Sequence, residues 1–231
     1  MNGRIHSIQT MGAVDGPGIR AVVFLQGCPL RCAFCHNPDT WDATGGEEVS
    51  SGFVSDKILR LKNFYLKGGI TVSGGEPLLQ GAFVNEFFKT MHENGLHTAL
   101  DTSGIGTEEN IRLALEHTDL VLCDLKFPTE ASYKSHTGAS LKRVLSFLDI
   151  VEQKNIPLWI RHVVIPGLTD TEENIHEIAR ISKSYKNLQK IELLPFKKMC
   201  VTKYESMGIP FPLIDTPQCR KERIEYLNTL L

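Results

Sequence analysis

Three cysteines fall within eight residues in Gly27-Cys28-Pro29-Leu30-Arg31-Cys32-Ala33-Phe34-Cys35-His36-Asn37, at the spacing Cys-x3-Cys-x2-Cys. Cysteine thiolates hold iron–sulfur clusters, and short spacings let one loop wrap one cluster. A cubane cluster has four corners, so three local thiolates leave one iron open to a substrate or cofactor. A structural metal site is normally closed, so an incomplete ligand set speaks for chemistry. Two other readings suit these thiols: a zinc site with a fourth ligand, and a redox pair beside a bystander. His36 is a poor fourth ligand, because it adjoins Cys35 and both side chains would have to turn to one point.

Further polar residues sit where apolar runs end. Ser73-Gly74-Gly75-Glu76-Pro77 is either a tight strand-to-helix turn or a place where a ligand meets the backbone, since glycine admits close approach. In Leu122-Cys123-Asp124-Leu125-Lys126 a period of two puts Asp124 and Lys126 on one face and turns Cys123 to the other. Asp124 and Lys126 make either a plain ion pair or an anion site. Arg161, in Trp159-Ile160-Arg161, is ordinarily a satisfied ion pair. Asp101, Thr102 and Asp124 supply oxygens of the kind hard cations take, although Asp101 would serve equally as a helix cap.

These groups need elements to position them. The 231 residues are 42% hydrophobic and 23% charged with a formal net charge of −2, the profile of a globular chain with a real core and no basic field to recruit nucleic acid. No run of eighteen apolar residues predicts a membrane span, and the N-terminus has no secretory apolar region. Clustered thiols and no secretory signal predict a reducing, cytoplasmic setting. Apolar runs at 21–25, 69–73, 97–100, 120–123, 157–165 and 190–194 predict six strands. Helical patterns at 55–64 (with Ser55 as N-cap), 81–92, 108–116, 141–154, 172–185 and 222–230 alternate with them. Alternation implies crossovers and a parallel sheet. Candidate groups follow several strand ends, and that spread suits a barrel mouth better than the single switch point of an open sheet. The expectation is an α/β fold, a partial (β/α)6 TIM-type barrel with its active site at the C-terminal mouth. It would form one domain over 1–231, with a core at about 15–195 and a C-terminal extension at 196–231. Residues 197–218 read as the least regular stretch.

Together the cysteine loop, His36-Asn37-Pro38-Asp39-Thr40-Trp41, Gly3-Arg4-Ile5-His6-Ser7, Val14-Asp15-Gly16-Pro17-Gly18-Ile19-Arg20, Ser73-Gly74-Gly75-Glu76, Asp101-Thr102, Asp124-Leu125-Lys126, Trp159-Ile160-Arg161 and Glu192-Leu193-Leu194-Pro195 resemble the radical S-adenosylmethionine (SAM) enzymes, and among them the glycyl-radical-enzyme activases. The resemblance implies that Cys28, Cys32 and Cys35 hold a [4Fe–4S] cluster whose open iron chelates SAM. It implies that one electron cleaves SAM and that the resulting radical takes a hydrogen atom from a glycine of a partner enzyme. It places Phe34, His36, Gly74, Gly75, Glu76, Asp124, Leu125, Lys126, Arg161 and Lys197 around SAM, with Lys126 toward the methionyl carboxylate. It assigns Asp101, Thr102 and Asp124 to a monovalent cation, potassium or sodium. Lys197 stands where such activases usually carry histidine; it is a point charge without histidine's titration or stacking. Many activases insert a ferredoxin-like segment after the cluster loop, but residues 36–72 contain no cysteine. That favours the single-cluster type, whose protein substrate is pyruvate formate-lyase and whose electron comes from a flavodoxin- or ferredoxin-type donor. The rivals are an activase of another glycyl radical enzyme, a radical SAM enzyme acting on a small molecule, and a zinc-stabilised binding module.

Overall fold

The computed structural model describes residues 1–231. Its strands are β1 (Asn2–Gly12), β2 (Arg20–Leu25), β3 (Glu47–Ser50), β4 (Gly69–Gly74), β5 (Thr98–Thr102), β6 (Leu120–Asp124), β7 (Leu158–Val164) and β8 (Leu188–Pro195). They lie in one sheet in the order β3-β1-β2-β4-β5-β6-β7-β8, which has two edges and does not close. The six expected strands are β2, β4, β5, β6, β7 and β8. Two more, β1 and β3, were not expected; they pair antiparallel at one edge, β1 against β2 and β3 against β1. The remaining sheet is mostly parallel, as in β2–β4, β4–β5 and β7–β8. The helices are α1 (Ser51–Leu59), α2 (Lys62–Tyr65), α3 (Gly81–Glu93), α4 (Glu108–Ala114), α5 (Glu130–Thr137), α6 (Leu141–Gln153), α7 (Glu172–Ser182), α8 (Val201–Ser206) and α9 (Lys221–Asn228). The fold divides into two compact units, Met1–Pro29 with Thr40–Leu122, and Leu30–Asp39 with Cys123–Leu231.

In the first unit, Val22, Val23 and Leu25 of β2, Ile70 and Val72 of β4, and Ala99 and Leu100 of β5 are fully buried. They share the core with Phe83, Val84, Phe87, Phe88 and Met91 of α3, whose spacings of three and four make one apolar face. Arg20 opens β2 without any exposure. Its guanidinium donates to Thr71 Oγ1 at 2.7 Å, Pro17 O at 3.1 Å, Ile70 O at 2.6 Å and Gly68 O. A buried charge persists only when bonded this fully, and the bond to Pro17 fastens the Gly16–Gly18 turn. Ser50, whose hydroxyl accepts from Phe53 N, caps α1, in place of the expected Ser55, which is buried inside the helix. The expected helix at 55–64 is two helices, broken at Arg60-Leu61.

In the second unit, Val144, Phe147, Leu148 and Val151 of α6 and Ile175 and Ile178 of α7 are fully buried, as are Leu158, Ile160 and Val164 of β7. The segment after β8 is more ordered than its prolines suggest. Phe196 stacks on Phe211 at 6.2 Å, Tyr204 of α8 meets Phe211 at 4.9 Å, and Cys219 N donates to Phe196 O at 3.0 Å.

Candidate active site

In the first unit the candidate residues centre on the Gly74-Gly75-Glu76 turn at the end of β4. Gly74 has φ +110° and its backbone lies against β2; a Cβ there would stand 2.4 Å from Leu25 N. A Cβ on Gly75 would stand 2.2 Å from Gly27 O, the residue before the first cysteine of the loop. The turn is sewn to that chain by Gly75 N to Leu25 O at 2.9 Å and Glu76 N to Gly27 O at 2.8 Å. The glycines therefore answer to a neighbouring backbone, and the turn is locked to the root of the cysteine loop.

Glu76 is fully buried. Its Oε1 accepts from Thr102 Oγ1 at 2.5 Å and from Leu78 N at 3.0 Å; its Oε2 accepts from Ser103 N at 2.8 Å and from Ser103 Oγ. Burial raises its carboxyl above the ordinary range against the pull of these donors. Every lone pair of this carboxylate is spent inside the fold, so Glu76 braces the turn against the end of β5 and leaves only backbone to a ligand. Asp101 accepts from Ser73 Oγ at 2.6 Å, and Thr107, not Asp101, caps α4. Thr102 Oγ1 also accepts from Gly104 N at 2.9 Å.

In the second unit the candidate residues lie in 30–39 and at the ends of β6 and β7. Arg31 N donates to Thr137 O and Ala33 N to His136 O, both at 2.9 Å, so the last turn of α5 supports the loop backbone. Cys35 N closes a turn on Cys32 O at 3.1 Å. Tyr204 Oη donates to Cys35 O at 3.2 Å, and the exposed His36 donates from Nε2 to Lys197 O at 3.0 Å. Lys197 thus meets His36 through its main chain, and its own side chain is exposed. Phe34 is buried edge-on against Phe127, centroids 6.0 Å apart.

Asp124 stands between two cations. Lys126 Nζ donates to its Oδ2 at 3.0 Å and Arg161 Nε to its Oδ1 at 3.1 Å. Burial works to raise the Asp124 carboxyl, but Lys126 first and Arg161 second outweigh it and hold it well below the usual range. Burial likewise opposes the charge on Lys126, and Asp124 overrides it, so the ammonium stays charged. Within this trio two cations stand against one anion, in surroundings of reduced dielectric where charge acts more strongly than in water. Lys126 Nζ also lies 5.6 Å from the centre of the Phe34 ring. Leu125 contributes backbone: its N donates to Arg161 O at 3.0 Å and its O accepts from His162 Nδ1 at 2.8 Å. Cys123 is completely buried.

None of the six cysteines is in a disulfide. No three His, Cys, Asp or Glu side chains stand ready-made as a metal cage; what is preset at the cysteine loop is its backbone. The donors are soft thiols, which suit iron–sulfur clusters and zinc. Burial pushes the Cys32 thiol up to about 11, with Lys126 pulling the other way, so ligation there would displace a proton. The donor set fits a cluster held by three thiolates.

Three participants have no signal in the sequence: Ser103 under Glu76, and Lys203 and Tyr204 on the cysteine loop. A fourth, His162 behind Leu125, is marked only by its place next to Arg161 in a strand.

The family model of the radical SAM superfamily matches residues 22–179. The pyruvate formate-lyase-activating enzyme of Clostridium pasteurianum is 46% identical over 231 residues, 99% of this chain and 97% of the relative. The pyruvate formate-lyase 1-activating enzyme of Escherichia coli K12 is 39% identical over 233 aligned residues, 99% and 95%. Among solved structures, a domain of a pyruvate-formate lyase-activating enzyme from Bacteroides vulgatus superimposes with a TM-score of 0.57 at 24% identity, covering 71% of this chain and 92% of that one. A radical SAM methyltransferase from Sphaerobacter thermophilus gives 0.67 at 19% identity, covering 92% and 63%. These two likenesses speak for the fold alone, and the fold is the expected partial barrel.

Proposed function

Because the chain belongs to the radical SAM superfamily and, within it, to the pyruvate formate-lyase-activating enzymes, we propose that Cys28, Cys32 and Cys35 hold its [4Fe–4S] cluster and that Asp124, Lys126 and Arg161 receive the carboxylate of its SAM. When bound, the cluster supplies an electron to SAM, and the cleaved cofactor supplies the hydrogen-atom abstraction that leaves a glycyl radical on pyruvate formate-lyase. The residues provide orientation, charge and exclusion of water. Lys126 and Arg161 present a net positive charge to the methionyl carboxylate, and Asp124 fixes the direction of both cations. The turn at Gly74 and Gly75, braced by the Glu76 carboxylate, offers backbone carbonyls to the SAM amino group. Phe34 and Phe127 line the second unit's part with apolar surface that keeps water from the reacting groups. His36 and Leu125 contribute from the loop and from β6. Lys197 contributes its carbonyl to His36 and leaves its ammonium free for an anionic group of either substrate. A monovalent cation at Asp101, Thr102 and Asp124 would have to share Asp124 with Lys126 and Arg161. A flavodoxin- or ferredoxin-type protein supplies the electron, and the enzyme works in the cytoplasm; no helix is long and apolar enough to cross a membrane.

The observation that carries this reading is the full-length likeness to activating enzymes in a chain whose Asp124 pairs with both Lys126 and Arg161. The test is anaerobic reconstitution with iron, sulfide, SAM and a reductant, followed by incubation with pyruvate formate-lyase or with another glycyl radical enzyme. Electron paramagnetic resonance should show a glycyl radical on the first. A signal on the second alone would refute the substrate, and one zinc with no sulfide in the native protein would refute the enzyme.

A further inference from the structure

The cysteine loop is held on two sides within the second unit. On one side, Thr137 O and His136 O at the end of α5 accept from Arg31 N and Ala33 N. On the other, the segment carrying α8 meets the stretch that leaves the last cysteine. Tyr204 Oη donates to Cys35 O at 3.2 Å, and Lys203 Nζ bridges Asn37 Oδ1 at 2.9 Å and the Asp39 carboxylate at 3.0 Å. His36 Nε2 donates to Lys197 O at the start of the same segment. The tyrosine ring is 1% exposed and fixed against Phe211, which is stacked on Phe196, so its hydroxyl cannot swing away.

We propose that Lys203 and Tyr204 are positioning residues for the cluster: a clamp from the C-terminal segment that holds Cys35 and the turn after it in ligating form. The clamp rests on the assignment of Cys28, Cys32 and Cys35 as cluster ligands. Its physical basis is that three thiolates leave no spare ligand. A loop end freed at Cys35 exposes an iron directly. The two residues hold different things. Tyr204 fixes the carbonyl of a ligand residue, and Lys203 joins Asn37 Oδ1 and the Asp39 carboxylate in the exit turn. Lys203 touches neither the Asp124 group nor any proposed ligand to SAM, so it acts on the cluster through the loop.

The variants are Lys203→Met, which keeps the stem and removes the donors, and Tyr204→Phe, which keeps the ring and its stacking. Lys221→Met, on exposed α9, is the control for loss of one surface ammonium. Reconstituted holoenzymes are mixed anaerobically with a ferrous chelator, and the spectrum of the reduced cluster is recorded with and without SAM. Lys203→Met should release iron roughly tenfold faster than wild type, the factor carried by one charge-assisted hydrogen bond, and should broaden the SAM-bound spectrum. Tyr204→Phe should do so to a lesser degree. Lys203→Arg, which can still reach both acceptors, should restore the wild-type rate. Release rates and spectra within twofold of wild type in Lys203→Met and Tyr204→Phe would overturn the clamp, as would an equal effect of Lys221→Met. A lowered unfolding temperature of the apo protein with an unchanged cluster spectrum would also overturn it, by showing a merely structural role. A wild-type chain that takes up no iron and sulfide would overturn the ligand assignment itself, and the clamp with it.

Discussion

Lys126→Met tests the charge arithmetic of the anion site. In the wild type Asp124 sits between Lys126 and Arg161, one negative charge against two positive. Removing Lys126 leaves a neutral pair, so the attraction for an incoming carboxylate falls by one full charge. A carboxylate about 4 Å from an ammonium gains roughly 4 kcal/mol at an effective dielectric near 20. The Lys126 side chain is 11% exposed and Asp124 24%, so some of this is screened, and about 3 kcal/mol remains. That corresponds to a weakening of SAM binding by roughly 150-fold, since about 1.4 kcal/mol is one decade. The assay is anaerobic calorimetric titration of the reconstituted enzyme with SAM, with iron and sulfide measured in the same sample. Titration with 5′-methylthioadenosine, which lacks the amino-acid carboxylate, should show no difference between wild type and variant. Asp124→Asn sharpens the test. If charge alone mattered, removing the anion would tighten SAM binding; if Asp124 aims the two cations, binding weakens. We expect it to weaken by about tenfold, because the amide keeps only one oxygen: one of the two cations loses its acceptor and the other is left with a neutral one. Unchanged SAM affinity in Lys126→Met, with the cluster intact, would reduce the group to an ordinary ion pair.

Cys28→Ala, Cys32→Ala and Cys35→Ala should each abolish the iron–sulfur absorption and the radical yield, while Cys123→Ala keeps both; a folded Cys123→Ala chain without its cluster would mean a different ligand set. Glu76→Gln puts an amide NH2 in place of one carboxylate oxygen, facing either Thr102 Oγ1 and Leu78 N or Ser103 N and Oγ, and should lower unfolding stability by about 2 kcal/mol in urea titrations. His162 is held neutral by burial, which lowers it to about 4 although its Nδ1–H donates to Leu125 O. The unfolded chain protonates near 6.5 and the folded chain only near 4, so stability falls as pH drops through that window. Between pH 7 and pH 4.5 the loss should be on the order of 2 kcal/mol, and His162→Gln should lack that share of the acid dependence.

The parallel part of the sheet was readable because β2, β4, β5 and β6 are short apolar runs buried on both faces, the pattern that parallel strands carry. The edge was not. In β1 the register against β2 shifts between Ile5 and Ser7 and again between Gln9 and Gly12, so bulges destroy the period of two that would have marked a strand. Strand β3 is four residues long and buries only Val49. Helix α5 buries only Tyr133 and Thr137, one stripe four residues apart, and its sequence Glu-Ala-Ser-Tyr-Lys-Ser-His-Thr shows no apolar periodicity. Helix α8 has six residues and is held by the aromatic contacts of Tyr204, not by its own pattern.

For the site the division follows distance along the chain. Residues proposed to face a ligand come in tight groups, because a loop or one strand end presents them together, and such groups are visible as motifs. The residues that brace them come from anywhere. Ser103 and Thr102 reach Glu76 across 27 and 26 residues, and Lys203 reaches Asp39 across 164. A lysine and a tyrosine in an irregular, proline-rich stretch carry no local mark of what they touch. Glu76 shows the other side of the same limit. The sequence marks it as a motif residue, yet says nothing of where its carboxylate points. With four donors on that carboxylate, its chemistry is to fix a turn, and the proposed contact with SAM falls to the backbone it holds. A motif names the residues of a site; which atom of each residue serves the ligand is decided by partners that lie elsewhere in the chain.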